Sequence, residues 1–283
     1  MRAEPIGAPC TFHGEGPFWD GVRDELLVVD MLAGDVVRFD GAGVPTRRHV
    51  GDVAAVVRAR RGGGYVLALE RGFALADAEL SVTEEIAVLE GSAVRMNDGG
   101  CDPQGRFYCG TMAYDVTPGA GRLYRLDTDR TVTTVLDGVT ISNGLQWSVD
   151  GSLAYYNDTP TGRVDVFDVD PDTGEFSGRR PFAVVPDDAG KPDGMAVDAE
   201  GGVWIALWEG GRVHRYDAGG ILTEVVEVAA SRTTACTFGG PDGRTLFVTT
   251  SRLGVDDAAE PLAGAVFAVD TGVVGATQHA YAG

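Results

Sequence analysis

Three segments of the chain place a carboxamide or carboxylate beside glycine and reach a turn glycine eight residues further on: MNDGGCDPQGRFYCGT (96–111), SNGLQWSVDGSLAYYND (142–158) and PDGMAVDAEGGVWIAL (192–207). Counting back eight residues from each turn glycine gives Asn97, Asn143 and Asp193, and the same count elsewhere gives Ala54 and Ala235. In the first copy, whose turn is longer, Glu15 of GEGPFW holds the matching place. A single Asn or Asp next to glycine is an ordinary turn residue. Four oxygen-bearing side chains in register are not explained that way, and glutamate is no turn former. If such residues face one another around an axis, their carboxylates repel unless a cation neutralises them. Oxygen-only donors favour a hard divalent ion: calcium, magnesium or manganese, with zinc or ferrous iron as alternatives. Arg95 lies two residues before Asn97, so in an extended strand it points to the same side.

The elements that must position these residues are strands. Turn glycines at Gly62, Gly105, Gly151, Gly201 and Gly243 recur at spacings of 43, 46, 50 and 42, each before a strand-like run such as RFYCGT or GVWIALW. FWDGVRDELLVVD adds a sixth copy. A second signature follows, a glycine with aspartate six positions later: GDVVRFD, GRLYRLD, GRVDVFD, GRVHRYD and GAVFAVD. These alternate apolar and polar residues, the period of a half-buried strand; only RGFALADAE in the second copy is irregular. Six units of about four strands each predict an all-β, six-bladed β-propeller with four-stranded antiparallel blades, a single domain over 1–283 with the metal site on its axis. Insertions at MAYDVTPGA and SRLGVDDAAEPLA are expected to shape a site mouth, and the segment around PCTFHGEG to supply or precede the strand that closes the ring.

Composition narrows the function. The net charge is −19, which repels phosphate backbones and anionic headgroups, so neither nucleic acid nor membrane is an expected partner. The opening MRAEPIGAPC lacks an apolar signal region and no run is long enough to span a bilayer, which predicts a soluble, cytoplasmic protein with no obligate protein partner. Four cysteines make no disulfide framework; Cys101 and Cys109 flank a turn and are expected as buried thiols, a cross-strand disulfide being the alternative. His13, His49, His214 and His279 are scattered and read as packing or surface residues. No GxSxG elbow is present. DVDPDTGEF lacks the flanking helices and glycine position of a calcium loop, and RRGGGY lacks the Lys-Ser/Thr of a phosphate cradle.

The pieces GEGPFW, RMNDGGCDPQGRFYCGTM, SNGLQWSVDG, PDGMAVDAEGGVWIALWEGGRV and FGGPDGRTLFVTT, in this order along most of the chain, resemble the senescence-marker protein/regucalcin family, which includes gluconolactonases and luciferin-regenerating enzymes. The resemblance implies a six-bladed propeller holding one divalent cation, calcium first, and hydrolysis of a sugar (aldono-) lactone to its aldonic acid. It implies that Glu15, Asn143 and Asp193 bind the metal and that Asn97 approaches substrate or the water at the cation. Arg95 then matches the family's substrate-binding arginine, and Asp115 stands where some members carry glutamate, a shorter reach with the same charge. Asp193 is the candidate general base. Asp98 reads as a turn residue, with a partner behind the site's ligands as the alternative, Trp147 as packing, and Trp208 and Met112 as either pocket wall or blade core. A promiscuous esterase or phosphotriesterase on the same metal, and a non-catalytic calcium-binding or scaffold propeller, are the alternative functions.

Overall fold

β-Branched and aromatic residues dominate the runs after the turn glycines, and each run forms the second strand of a sheet: Tyr65–Leu69, Phe107–Ala113, Leu153–Asp158, Val203–Trp208 and Thr245–Thr250, with Glu25–Asp30 in the first copy. This is the strand preference of residues that pack well on a pleated surface. The computed structural model describes residues 1–40 and 43–283, and its strands form six four-stranded antiparallel sheets. The innermost strands are Gly14–Asp20, Ala54–Ala59, Val94–Cys101, Ser142–Trp147, Lys191–Val197 and Thr233–Gly239. Each touches the inner strand of the next blade, the sixth touches the first, and the ring is closed. The architecture is a six-bladed β-propeller. Among the described residues there is no α-helix, only two three-residue 3-10 turns, and no helix long and apolar enough to cross a membrane.

The Gly-to-Asp signature forms the third strands, and its terminal aspartate has a local task. Asp217 Oδ1 accepts the N–H groups of Gly219 and Ile221 (2.9 and 3.0 Å), and Asp270 Oδ1 accepts that of Gly272 (2.9 Å). These side chains fold the turn that leads outward. Core packing lies between blades. Tyr108, Leu145, Trp147, Tyr156 and Phe167 join blades three and four, whereas Trp204, Val213, Val248 and Phe267 join five and six. Trp147 is buried there, its ring tilted against Tyr108 with centres 5.1 Å apart, as expected of a packing residue.

Ring closure departs from expectation in one detail. The closing strand is Glu4–Pro5, which pairs with Phe267–Asp270 as the outermost strand of blade six. The PCTFHGEG segment follows it, bridging to Ser251 and running into the first inner strand. Strand direction then gives the ring two distinct faces. Inner strands start, and second strands end, at one mouth; loop 114–120 and segment 251–263, the two insertions, leave from that same mouth. The opposite face is crossed by residues 274–282, where the N–H of Ala199 bonds Val274 and that of Tyr281 bonds Ala59. All four cysteines are free thiols, Cys101, Cys109 and Cys236 buried.

Candidate active site on the propeller axis

Every inner strand bulges near its start. The register slips between Glu15 and Phe18, Ala54 and Val56, Met96 and Gly99, Asn143 and Leu145, Pro192 and Met195, and Thr233 and Cys236. A bulge leaves residues unpaired and re-aims their side chains. Glu15, Asn97, Asn143 and Asp193 all sit at these bulges, buried to within 5–6% exposure. Ala54 falls at the same level, but blade six differs. Its inner strand is one residue longer between bulge and turn, so counting from the bulge puts Thr234 at the ring level and moves Ala235 one place on. Thr234 donates to the Gly14 carbonyl (2.6 Å), tying blade six to blade one. The residue after each ring position is small (Gly16, Ala55, Gly144, Gly194 and Ala235) because inner strands approach closely there. A Cβ on Gly144 would stand 2.6 Å from the Asp193 carbonyl oxygen, and φ is +34°.

The exception is Asp98, which stands in that series where the others are small. It is not an exposed turn residue: it is buried, its Oδ1 accepts the Gly99 N–H (2.7 Å), and the buried Arg58 guanidinium attracts it. Burial was not visible in the NDGG tetrapeptide, whose composition reads as a turn.

A directional chain of hydrogen bonds links three blades. Arg95 Nη1 donates to Asn97 Oδ1 (2.7 Å), Asn97 Nδ2 to Asn143 Oδ1 (2.9 Å), Asn143 Nδ2 to Thr159 Oγ1 (2.8 Å), and Thr159 to the Pro192 carbonyl (2.9 Å). It leaves Asn143 Oδ1 a second lone pair. Arg95 Nη1 also donates to the Met96 carbonyl (3.0 Å) and touches the Met31 sulfur (3.0 Å), Nη2 meets the Met112 sulfur (3.2 Å), and the guanidinium lies 5.8 Å from the Tyr114 ring centre. Met112 therefore belongs to this mouth.

The two ring carboxylates are poorly satisfied. Asp193 Oδ1 is buried with no hydrogen-bond partner, as is Asn157 Oδ1, whose Nδ2 donates to the Asp193 carbonyl (2.7 Å). The hydrogen bond that Glu15 Oε2 accepts comes from the neighbouring Gly16 N–H, at 3.2 Å. Burial pushes the Glu15 carboxyl up to about 8, and the charge of Asp98 adds to it while Arg95 opposes. Burial likewise raises Asp193 well above the ordinary carboxylate range, with Glu15 and Asp98 adding to it. Burial lowers the Arg95 guanidinium. No group of three or more His, Cys, Asp and Glu side chains among the described residues is arranged to hold a metal ion; the polar groups gathered here are carboxylates mixed with carboxamides.

Asp115 is at the same mouth but outside this buried cluster. Its exposed carboxylate accepts the Thr117 N–H and hydroxyl (3.0 and 2.7 Å), which hold it below its usual range. His13, expected as packing or surface, is buried two residues before Glu15 beside Trp208, ring centres 6.1 Å apart. Its two-residue spacing from Glu15 was the sequence signal for it. His214 is buried packing, and His49 is exposed.

Residues 13–252 match the family model described as SMP-30/Gluconolactonase/LRE-like region. The chain is 38% identical to regucalcin of Danio rerio over 95% of both chains, and 37% identical to that of Homo sapiens over the same shares. Among solved structures it resembles a calcium-binding protein, regucalcin, from Agrobacterium tumefaciens (27% identity, TM-score 0.92, covering 100% of this chain and 97% of the other). It also resembles a luciferin-regenerating enzyme (30% identity, TM-score 0.86, 99% and 97% covered).

Proposed function

The chain belongs to the SMP-30/gluconolactonase/LRE-like family, and from that premise we propose that it is a divalent-metal-dependent lactonase that hydrolyses a sugar lactone to its aldonic acid. The observation that carries the reading is the partnerless, buried Asp193 Oδ1 facing the charge of Glu15. Two buried carboxylates facing each other, one with an unpaired oxygen, are costly unless a cation joins them, so the residues fit a hard divalent ion held by Glu15, Asn143 and Asp193, calcium first. When bound, such an ion acts as a Lewis acid on the carbonyl oxygen and lowers the pKa of water.

The chain's own groups do the rest. Asp193, whose carboxylate has one oxygen for the cation and a second to spare, is the group that takes the proton of the attacking water. Arg95 is held by Asn97, which fixes its plane. Its Nη1 is engaged by Asn97 Oδ1 and the Met96 carbonyl, whereas the Nη2 contact to the Met112 sulfur, a weak acceptor, exchanges for a substrate oxygen at little cost. Asn97, whose amide protons go to the Ser142 carbonyl and Asn143 Oδ1, lies beside the substrate with the free lone pair of its Oδ1, and Asp115 approaches substrate hydroxyls only from the exposed rim. Uncharged, polyhydroxylated lactones suit this lining and the strongly acidic surface; nucleic acid and membrane do not.

Acid release from gluconolactone and xylonolactone, corrected for spontaneous opening, with and without chelator, tests the proposal. Turnover abolished by chelator and restored by cation supports it; chelator-insensitive turnover overturns the metal dependence. A second reading, a calcium-binding propeller without turnover, draws on the name of the Agrobacterium tumefaciens relative. Cation binding with no acid release from either lactone would favour it.

A further inference from the structure

His13 stands at the mouth where Arg95 and Asp193 lie. It forms an antiparallel bridge with Ser251, which opens the insertion of blade six, and its ring lies edge-on to Trp208 at the end of the second strand of blade five. Trp208 is fixed from another side by Arg232, whose guanidinium lies 4.8 Å from the ring centre. His13 Nδ1 pairs with Ser251 Oγ at 2.7 Å.

Ser251 decides which ring nitrogen carries the proton. Its hydroxyl is fully buried, and its oxygen already accepts the Leu253 N–H (3.0 Å). A buried hydroxyl proton needs an acceptor, and among the described residues the partner in reach is His13 Nδ1. Ser251 therefore donates, Nδ1 accepts, and the proton of the neutral ring sits on Nε2. Nε2 makes no hydrogen bond among the described residues, yet it is not one of the sealed, unpaired polar atoms, so it faces space that water reaches.

We propose that His13 is a specificity-determining residue whose Nε2–H donates a hydrogen bond to a hydroxyl oxygen of the substrate ring, with Trp208 as the apolar wall beside it. The assignment rests on the lactonase reading above and extends it from a lactone in general to one bearing hydroxyls on the face turned toward blade one. Arg95 and His13 then present donors from blades three and one to opposite sides of the same polyol.

The test compares gluconolactone with unsubstituted δ-valerolactone, using the cation-loaded protein and three variants. His13→Phe keeps a ring and removes the donor. It should lower the ratio of kcat/KM for gluconolactone over valerolactone roughly two- to twelvefold, through KM, the loss expected for one neutral hydrogen bond. His13→Gln, which restores an N–H at similar reach, should recover most of that ratio. Ser251→Ala frees the ring to carry its proton on Nδ1 and should lower the ratio in the same direction without touching His13. An unchanged ratio in all three variants, or an equal loss on both lactones, overturns the proposal and leaves His13 a packing residue. Calorimetric titration of 1,5-anhydroglucitol, an unreactive ring polyol, separates this from a failure of the lactonase reading. If no lactone is hydrolysed but His13→Phe weakens polyol binding by a similar factor, the donor assignment stands alone; polyol binding unaffected by His13→Phe removes it.

Discussion

In the proposed lactonase Asp193 does two things, holding a cation and taking a proton, and substitution separates them. Asp193→Ala should lose cation affinity and lactone turnover together, the latter by at least roughly 100-fold. Asp193→Asn keeps an oxygen donor but no base, so it should retain part of the affinity while turnover falls as far. Calorimetry beside initial rates measures both; intact turnover in either variant removes Asp193 from the chemistry. Arg95→Ala should raise KM for sugar lactones and leave cation affinity within a few-fold of the parent, because its plane is fixed by Asn97 and not by the carboxylates. A loss of cation affinity equal to that of Asp193→Ala would instead make Arg95 part of the metal's support. Glu15, Asn97, Asn143 and Asp193 could be read from the sequence because the repeat puts one residue of each blade at one level. The neighbours of those residues could not. Asp98 has the composition of a turn and the burial of a core residue, and only the close approach of adjacent inner strands makes the difference. Thr234 was displaced by a single extra residue in the inner strand of blade six, which counting from a glycine cannot detect but counting from the bulge can.

At the scale of elements, the blades were legible because each strand carries its own punctuation. Glycine opens the third strand and aspartate closes it, and the aspartate's hydrogen bonds to the following N–H groups are local, so the pattern survives in sequence. The two segments that close the ring have no such pattern. Glu4–Pro5 is too short for a period, and residues 274–282 cross the far face by hydrogen bonds to loops of different blades. Tyr281 anchors the second segment. It is fully buried against blades two and three, and its hydroxyl donates to the Asp127 carbonyl (2.8 Å). Tyr281→Phe should cost about 1 kcal/mol through that one bond, and Tyr281→Ala about 3–5 kcal/mol through the lost packing. Urea midpoints measure both. Equal midpoints for parent and Tyr281→Ala would mean that the segment does not fasten the ring.

On the scale of the whole molecule, the candidate ligands come from blades one, four and five, so a cation bound by them cross-links the ring across its axis. A ligand that binds only the folded state stabilises it by about 2.7 kcal/mol at one hundred times Kd, which for a chain of this length raises Tm by roughly 4–5 °C. Proton linkage gives that effect a pH signature. Without cation, folded Glu15 holds its proton up to about pH 8, whereas the unfolded side chain releases it near its ordinary value of 4.5. Between those values the native state binds more protons than the unfolded one, so stability falls as pH rises. The buried histidines act oppositely. His13 is pushed down to about 3 by burial, so the unfolded chain binds the extra proton below its ordinary 6.5 and stability there rises with pH. Above 6.5 that contribution is complete, and the carboxylates alone set the slope. The metal-free protein should therefore lose stability from pH 6.5 to 8, and saturating cation should remove the loss by replacing the proton as the neutralising charge, raising Tm more at pH 8 than at 6.5. Glu15→Gln, which cannot titrate, should show a shallower fall without cation and a smaller gain with it. Melting curves of parent and variant at the two pH values, with chelator and with calcium, decide the matter: a flat metal-free profile, or a gain as large in the variant as in the parent, would mean that Glu15 and Asp193 do not share a cation on the axis.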